Sequence, residues 1–92
     1  MDKRRTRIDR EQESALRDAF DRDIRDQMLS IAEAVKAMRR LSRLTQPEFA
    51  RHRGISLDTL KQIEAGRSDP KVSTLNKIAE IFGLELKFVE KK

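Results

Sequence analysis

Apolar residues recur at spacings of four and three through the first half of the chain, at Leu16, Phe20, Ile24, Met28, Ile31, Val35 and Met38. This spacing places them along one stripe of an α-helix. No proline or glycine interrupts residues 8–46. The pattern therefore predicts either one long helix from about Glu11 to Leu41, or two helices with a break near Gln27–Ser30, where Ser30 would cap the second.

A strong helix-start signal follows at Thr45. Glu48 stands three residues later, which makes a capping box, and Pro47 occupies the first turn, where its missing N–H costs nothing. Gly54 can adopt the left-handed conformation that closes a helix. We therefore expect a short helix that ends by Arg53.

Two more short helices are predicted after that turn, each closed by a glycine. Ser56 would cap a helix over Leu57–Ala65, and Ser73 would cap a helix over Thr74–Phe82. Two short helices joined by a tight glycine turn describe a helix-turn-helix over Gln46–Ala65. Ala50 would lie where the two helices cross, and the inward positions would be Phe49, Ile55, Leu60 and Ile63.

The tail changes its period from helical to alternating. Apolar side chains at Leu84, Leu86 and Phe88 alternate with other residues, as in a half-buried strand. A lone strand is unstable and no other segment has this pattern, so the predicted partner is the same strand of a second copy. The alternative is an extended tail lying on its own domain.

The predicted fold is mainly all-α, with three segments. Residues 1–29 form a charged helical N-terminal extension, residues 30–83 the helix-turn-helix domain, and residues 84–92 a C-terminal strand that pairs across a dimer.

The net charge of +5 sits in the predicted helix-turn-helix region. Residues 1–26 hold eight Lys or Arg and eight Asp or Glu, whereas residues 36–71 hold nine basic and four acidic residues. A local basic surface is what phosphate binding requires, although a solvated surface has the same composition.

Other classes of function find little support. The chain has no cysteine, and His52 stands alone as a surface residue with no second ligand nearby. We find no catalytic constellation and no metal-ligand spacing, so we expect no enzyme, cofactor or metal. No apolar run approaches the roughly 20 residues of a membrane span, and the polar start is no secretory signal, so we expect a cytoplasmic, nucleoid-associated protein.

Residues 31–83 resemble the lambda-repressor-like, or Xre-type, helix-turn-helix family. The matching positions are Arg39, Leu44, Thr45, Gln46, Phe49, Ala50, Gly54, Ile55, Ser56, Leu60, Ile63, Glu64, Gly66, Arg67, Pro70, Leu75, Ile78, Ala79, Phe82 and Gly83. The resemblance implies that the helix after Ser56 enters the DNA major groove. The positions that it assigns to DNA contact on this helix are Ser56, Leu57, Asp58, Thr59, Lys61 and Gln62.

Base chemistry gives these positions individual roles. Lys61 could donate to guanine, Gln62 could pair with adenine, and Leu57 could contact a thymine methyl. Asp58 could accept from cytosine, orient Lys61 or cap the helix, and we favour the cap.

The resemblance also assigns phosphate contacts and one structural ion pair. Gln46 matches a phosphate-clamping glutamine, and the flanking residues expected to contact phosphates are Arg43, Arg67, Ser68 and Lys71. Plain solvation is the alternative for each. Arg39 and Glu64 match a largely buried ion pair, which is structural and not catalytic.

The tail resembles that of Xre-type antitoxins, including those paired with persister-kinase toxins. In them the strand builds a dimer that represses its own operon. The resemblance implies a homodimer on a pseudo-palindromic DNA operator, with a toxin as further partner. The N-terminal extension would pack on the domain or the dimer mate, or would bind that partner. The alternatives are a phage or mobile-element repressor, a restriction-modification controller, or a protein-interaction module without DNA reading.

Overall fold

The computed structural model describes residues 7–90, with side chains from residue 10. The predicted N-terminal extension and C-terminal strand include residues 1–6 and 91–92, which lie outside that range. Within it the chain forms helices α1 (Arg7–Arg25), α2 (Ile31–Ser42), α3 (Gln46–Arg53), α4 (Leu57–Glu64) and α5 (Val72–Ala79), followed by a 3-10 turn over Glu80–Phe82.

The first half of the chain folds as two helices, which settles the alternative that the sequence left open. Gln27, just after the end of α1, has a left-handed backbone with φ 56°, which interrupts the helical conformation. Ser30 then caps α2: its Oγ accepts from the Glu33 N–H at 3.1 Å, and a Glu33 carboxylate oxygen accepts from the Ser30 N–H at 2.9 Å. This reciprocal pairing satisfies two free N–H groups and lets α2 start in a new direction.

The hydrophobic core is formed by buried apolar side chains from all five helices. Phe49, Leu60 and Ile78, from α3, α4 and α5, are the most completely buried large side chains. The other buried apolar residues are Phe20, Val35, Met38, Ala50, Ile63, Leu75 and Ala79. Helix α2 contacts every other helix, and α4 packs against both α2 and α3.

Helix α1 joins this core through one side of its apolar stripe. Phe20 is buried and lies against Phe82, with 6.0 Å between the ring centroids. The Arg17 guanidinium lies 5.2 Å from the centroid of the Phe82 ring. Leu16 of α1 and Met28, which follows the helix, remain 61% and 68% exposed, so the predicted apolar stripe is only partly covered.

Helix α5 starts earlier than the sequence predicted, and the predicted Ser73 cap is wrong. Lys71 is the N-cap residue and makes no side-chain cap bond. The Leu75 N–H donates to the Lys71 carbonyl at 3.1 Å, so the helical bonding has already begun when the chain reaches Ser73. The regular helix also ends at Ala79, and the turn to Gly83 is 3-10.

The predicted C-terminal strand is not found in residues 7–90, which contain no strand. Leu84 packs against the core, and the Leu86 N–H donates to Oδ1 of Asn76 at 3.1 Å. Phe88 is fully exposed. A strand is defined by hydrogen bonds to a neighbouring strand, and a single chain supplies none to this tail.

Candidate nucleic-acid interface

Helix α3 begins at the capping box that the sequence predicted. The Thr45 N–H donates to Oε1 of Glu48 at 2.9 Å, and the Glu48 N–H donates to Oγ1 of Thr45 at 3.3 Å. The Thr45 hydroxyl also donates to Oε1 of Glu48 at 3.1 Å, and the bonds that this carboxylate accepts from the Thr45 backbone and side chain hold the pKa of Glu48 below its ordinary value. The box fixes the start of α3 and therefore the position of Gln46.

A tight turn joins α3 to α4. Gly54 has φ 70°, and the Ile55 N–H donates to the Ala50 carbonyl at 3.0 Å. Ser56 then caps α4, because its Oγ accepts from the Thr59 N–H at 3.0 Å. Buried Ala50 and Leu60 lie within the α3–α4 core. The result is a helix-turn-helix with α4 as its second helix.

The outer face of α4 carries three exposed polar side chains, Asp58, Lys61 and Gln62. Gln62 Nε2 donates to Oδ2 of Asp58 at 3.0 Å, one helical turn away. Three roles were open for Asp58 from the sequence: contact with cytosine, orientation of Lys61 and, as the favoured one, a helix cap. The contact with Gln62 is none of these. Leu57 and Thr59 are half-buried, and Thr59 Oγ1 accepts from the Ser56 hydroxyl at 2.8 Å.

A cleft of about 330 Å³ lies beside α4 and brings together several of the predicted contact residues. Its lining consists of Asp58, Thr59, Gln62, Ser68, Asp69, Pro70, Lys71 and Thr74. The Ser68 hydroxyl is buried and has no hydrogen-bond partner among the described residues. Lys71 and Arg67 are exposed. Polar groups from α4 and from the following loop thus share one surface.

On the other side of the motif, Gln46 is tied to the pair of Arg39 and Glu64. Gln46 Nε2 donates to Oε1 of Glu64 at 3.2 Å. Arg39 donates to both carboxylate oxygens of Glu64, and that hydrogen bonding raises the pKa of Arg39 although burial opposes it. Arg39 Nη1 also donates to the Leu44 carbonyl at 3.2 Å. The start of α3 is therefore anchored to α4 by side chains.

The structure does not place Arg43 in the cleft beside α4. Arg43 ends α2 with φ 60°, and its guanidinium forms an ion pair with Glu13 of α1.

His52 is exposed on α3. Across the part of the chain that the structure describes, no group of three or more His, Cys, Asp or Glu residues is placed to hold a metal ion. No helix in residues 7–90 is long and apolar enough to cross a membrane.

Several polar contacts at this site were not anticipated from the sequence. The Asp58–Gln62 bond could have been found from the spacing of four residues on a helix. The contacts of Gln46 with Glu64 and of Glu13 with Arg43 join residues 18 and 30 positions apart, and no local signal indicates them.

Comparison with known proteins agrees with this geometry. The helix-turn-helix domain family matches residues 32–88, more than half of the chain. A similar protein is an uncharacterized HTH-type transcriptional regulator of Methanocaldococcus jannaschii, which is 38% identical over 52 residues, covering 56% of this chain and 79% of the relative. No solved structure matches the chain. The chain belongs to the helix-turn-helix domain family, a class of DNA-binding modules of transcription regulators.

Proposed function

We propose that the protein is a sequence-specific transcriptional repressor that reads DNA with α4. The observation that carries this proposal is the two-sided character of α4. Leu60 and Ile63 are buried on one side, whereas Asp58, Lys61 and Gln62 are exposed on the other. A helix fits the major groove, which is about 12 Å wide, and side chains of these types can hydrogen-bond to base edges there.

Residues around α4 supply candidate phosphate contacts. Gln46 stands at the N-terminus of α3, where the positive end of the helix dipole attracts an anion. Ser68 and Lys71 line the cleft beside α4, and Arg67 is exposed in the same loop. With Arg43, these groups would fix the orientation of the motif on the duplex. Ser56, Leu57 and Thr59 would meet the bases or sugars near the start of α4.

We further propose that the repressor acts as a homodimer joined by its tail. Leu86 and Phe88 expose apolar surface in the single chain, as does the adjacent Val89. Leu84, which packs on the core, belongs to the same alternating pattern as Leu86 and Phe88. Pairing of this segment with its copy would cover that surface and complete a two-stranded sheet. A symmetric dimer would bind a pseudo-palindrome with half-sites roughly 10 bp apart, or a multiple of that spacing.

The biological role that we propose is that of an antitoxin repressing its own operon, bound to the nucleoid in the cytoplasm. The support for this role is the resemblance of the tail to those of Xre-type antitoxins. A toxin gene beside this one would support it. Phage genes or a restriction-modification pair in that position would instead favour a phage repressor or a controller protein.

A protein-interaction module without DNA reading is the second candidate. It is favoured by a cleft of about 380 Å³ between α1 and α2, which is lined by apolar side chains that include Leu16, Leu29 and Leu41. In that case substitution of Lys61 and Gln62 by alanine would leave the function unchanged.

The test of the proposed function is a gel shift with the DNA upstream of the gene. We expect tight binding to that DNA, weak binding to a scrambled duplex, and a steep fall in affinity with salt. Lys61→Ala and Gln62→Ala should each weaken operator binding. Equal affinity for scrambled DNA would overturn sequence-specific repression. A monomer by light scattering at micromolar concentration would overturn the tail-paired dimer.

A further inference from the structure

Two exposed side chains on α4 are joined by a hydrogen bond that fixes the orientation of an amide. Gln62 Nε2 donates to Oδ2 of Asp58 at 3.0 Å, and the residues are one helical turn apart. An ionised carboxylate can only accept hydrogen bonds, so the NH₂ end of the Gln62 amide must face Asp58. The carbonyl oxygen Oε1 is therefore turned away from Asp58.

We infer that Asp58 is a positioning residue that makes Gln62 select adenine over guanine. The inference rests on the proposed function, in which α4 lies in the major groove. It assigns Asp58 a role through its neighbour on the helix and not through a base of its own.

The argument follows from the donors and acceptors that remain on Gln62. With one N–H bound to Asp58, the amide still offers its second N–H and the acceptor Oε1. Adenine presents the N7 acceptor and the N6 donor, which match this pair. Guanine presents two acceptors, N7 and O6, so O6 would meet Oε1 and repel it. A freely rotating amide could turn both N–H groups toward guanine, and Asp58 prevents this.

The capping role does not explain the position of the Asp58 side chain. Ser56 already caps α4, because its Oγ accepts from the Thr59 N–H at 3.0 Å. Asp58 stands in the first turn, where a negative charge favours the helix dipole, but that effect does not require a bond to Gln62. The Asp58–Gln62 bond is therefore an additional feature, located on the exposed side of α4.

The test compares operator variants that carry each base in turn at every position. Gln62 reads the operator position at which wild type prefers one base and Gln62→Ala does not. There we expect wild type to prefer adenine over guanine and Asp58→Ala to reduce that preference about tenfold. Asp58→Asn carries a donor as well as an acceptor and no longer fixes the Gln62 amide, so it should also lose part of the preference. Asp18→Asn removes the same charge from exposed α1 and should change nothing.

A double-mutant cycle separates positioning from direct contact. In the Gln62→Ala background, Asp58→Ala should cause no further loss of preference. Asp58→Ser, which is too short to reach Gln62 but suits a helix start, repeats the test if Asp58→Ala folds poorly. In the free protein, nuclear magnetic resonance should show the Gln62 side-chain amide signals shifting in Asp58→Ala but not in Asp18→Asn.

Specific outcomes would overturn the inference. One is an adenine preference in Asp58→Ala that equals that of wild type. Another is that Asp58→Ala reduces base preference equally in wild type and in the Gln62→Ala background. A third is that the Gln62 side-chain amide signals do not change in Asp58→Ala. If Gln62→Ala loses no base preference at any position, Gln62 is not a base reader and the inference also fails. If wild type binds scrambled DNA equally well, the proposed function fails, and the amide signals still report whether the contact exists.

Discussion

Arg39 on α2 and Glu64 at the end of α4 form a two-point ion pair. Arg39 Nε lies 2.7 Å from Oε2 of Glu64, and Nη2 lies 3.0 Å from Oε1. The Glu64 side chain is only 4% exposed, and Gln46 donates to the same carboxylate. The pair connects α2, the start of α3 and the end of α4, so it sets the angle at which α4 is presented.

We predict that breaking one side of this pair destabilises the fold. Arg39→Met leaves the Glu64 carboxylate buried without its main partner, and the expected loss is about 3 kcal/mol of unfolding free energy. Urea denaturation followed by circular dichroism measures it. Arg39→Met combined with Glu64→Leu removes both charges and should recover part of the loss. A loss below about 1 kcal/mol in Arg39→Met would contradict a structural role for the pair.

Left-handed backbone positions give a second, paired prediction. Gly54 has φ 70° with no atom within 4 Å of a built Cβ, so Gly54→Ala should cost about 1 kcal/mol through backbone strain alone. Gln27 has φ 56° and already carries this strain, so Gln27→Gly should stabilise the protein by up to about 1 kcal/mol. Thermal unfolding of the two variants checks the opposite signs. Shifts of the same sign would show that contacts, and not backbone conformation, dominate these sites.

The capping box of α3 predicts a dependence of stability on pH. Hydrogen bonds from Thr45 lower the pKa of Glu48 from its ordinary value of 4.5. A carboxyl with a lowered folded-state pKa stabilises the fold above that ordinary value, and its contribution is lost as the pH falls through the lowered pKa. Glu48→Gln should therefore be less stable than wild type at pH 7, and the difference should shrink as the pH falls below 4.5 and through the lowered pKa. A difference that persists at low pH would contradict this assignment.

Local chemistry explains which parts of this fold could be predicted from the sequence. The Thr45–Glu48 box, the Ser56 cap and the turn at Gly54 each depend on residues a few positions apart. Helix starts with a matching cap were therefore placed correctly. At α5 the same rule failed, because Lys71 begins the helix without a side-chain cap and Ser73 only resembles one.

Contacts between distant parts of the chain were beyond local patterns. Periodicity predicts that Leu16 and Phe20 share one stripe of α1. It does not predict that Phe20 packs against Phe82 and is buried while Leu16 stays exposed. The pairing of Arg43 with Glu13 depends on how α1 folds back over the end of α2. The alternating tail predicts a strand, yet the hydrogen bonds of a strand require a neighbour that one chain does not provide.

The stripe of α1 predicts unequal effects of two alanine substitutions. Phe20 is 5% exposed, so Phe20→Ala should cost about 3 kcal/mol of unfolding free energy. Leu16 is 61% exposed, and Leu16→Ala should change stability by less than about 0.5 kcal/mol. Urea unfolding curves of both variants, with wild type as reference, test the pair. Equal losses would show that Leu16 is covered in solution, for example by a second copy.

Two lysines of the proposed interface should affect DNA binding in different ways. Lys61 lies on the exposed face of α4, whereas Lys71 directly precedes α5 at the edge of the cleft. Lys71→Ala should weaken operator and scrambled DNA alike and reduce the slope of log affinity against log salt by about 1. Lys61→Ala should instead weaken operator binding by about 1–3 kcal/mol more than scrambled binding, because a base contact is lost.

Lys36→Ala, in the cleft between α1 and α2, removes the same charge away from α4 and should leave the operator preference intact. Fluorescence anisotropy titrations at several salt concentrations measure all three variants. If Lys61→Ala and Lys71→Ala lose affinity equally on both duplexes, α4 contacts the backbone and does not read bases through Lys61.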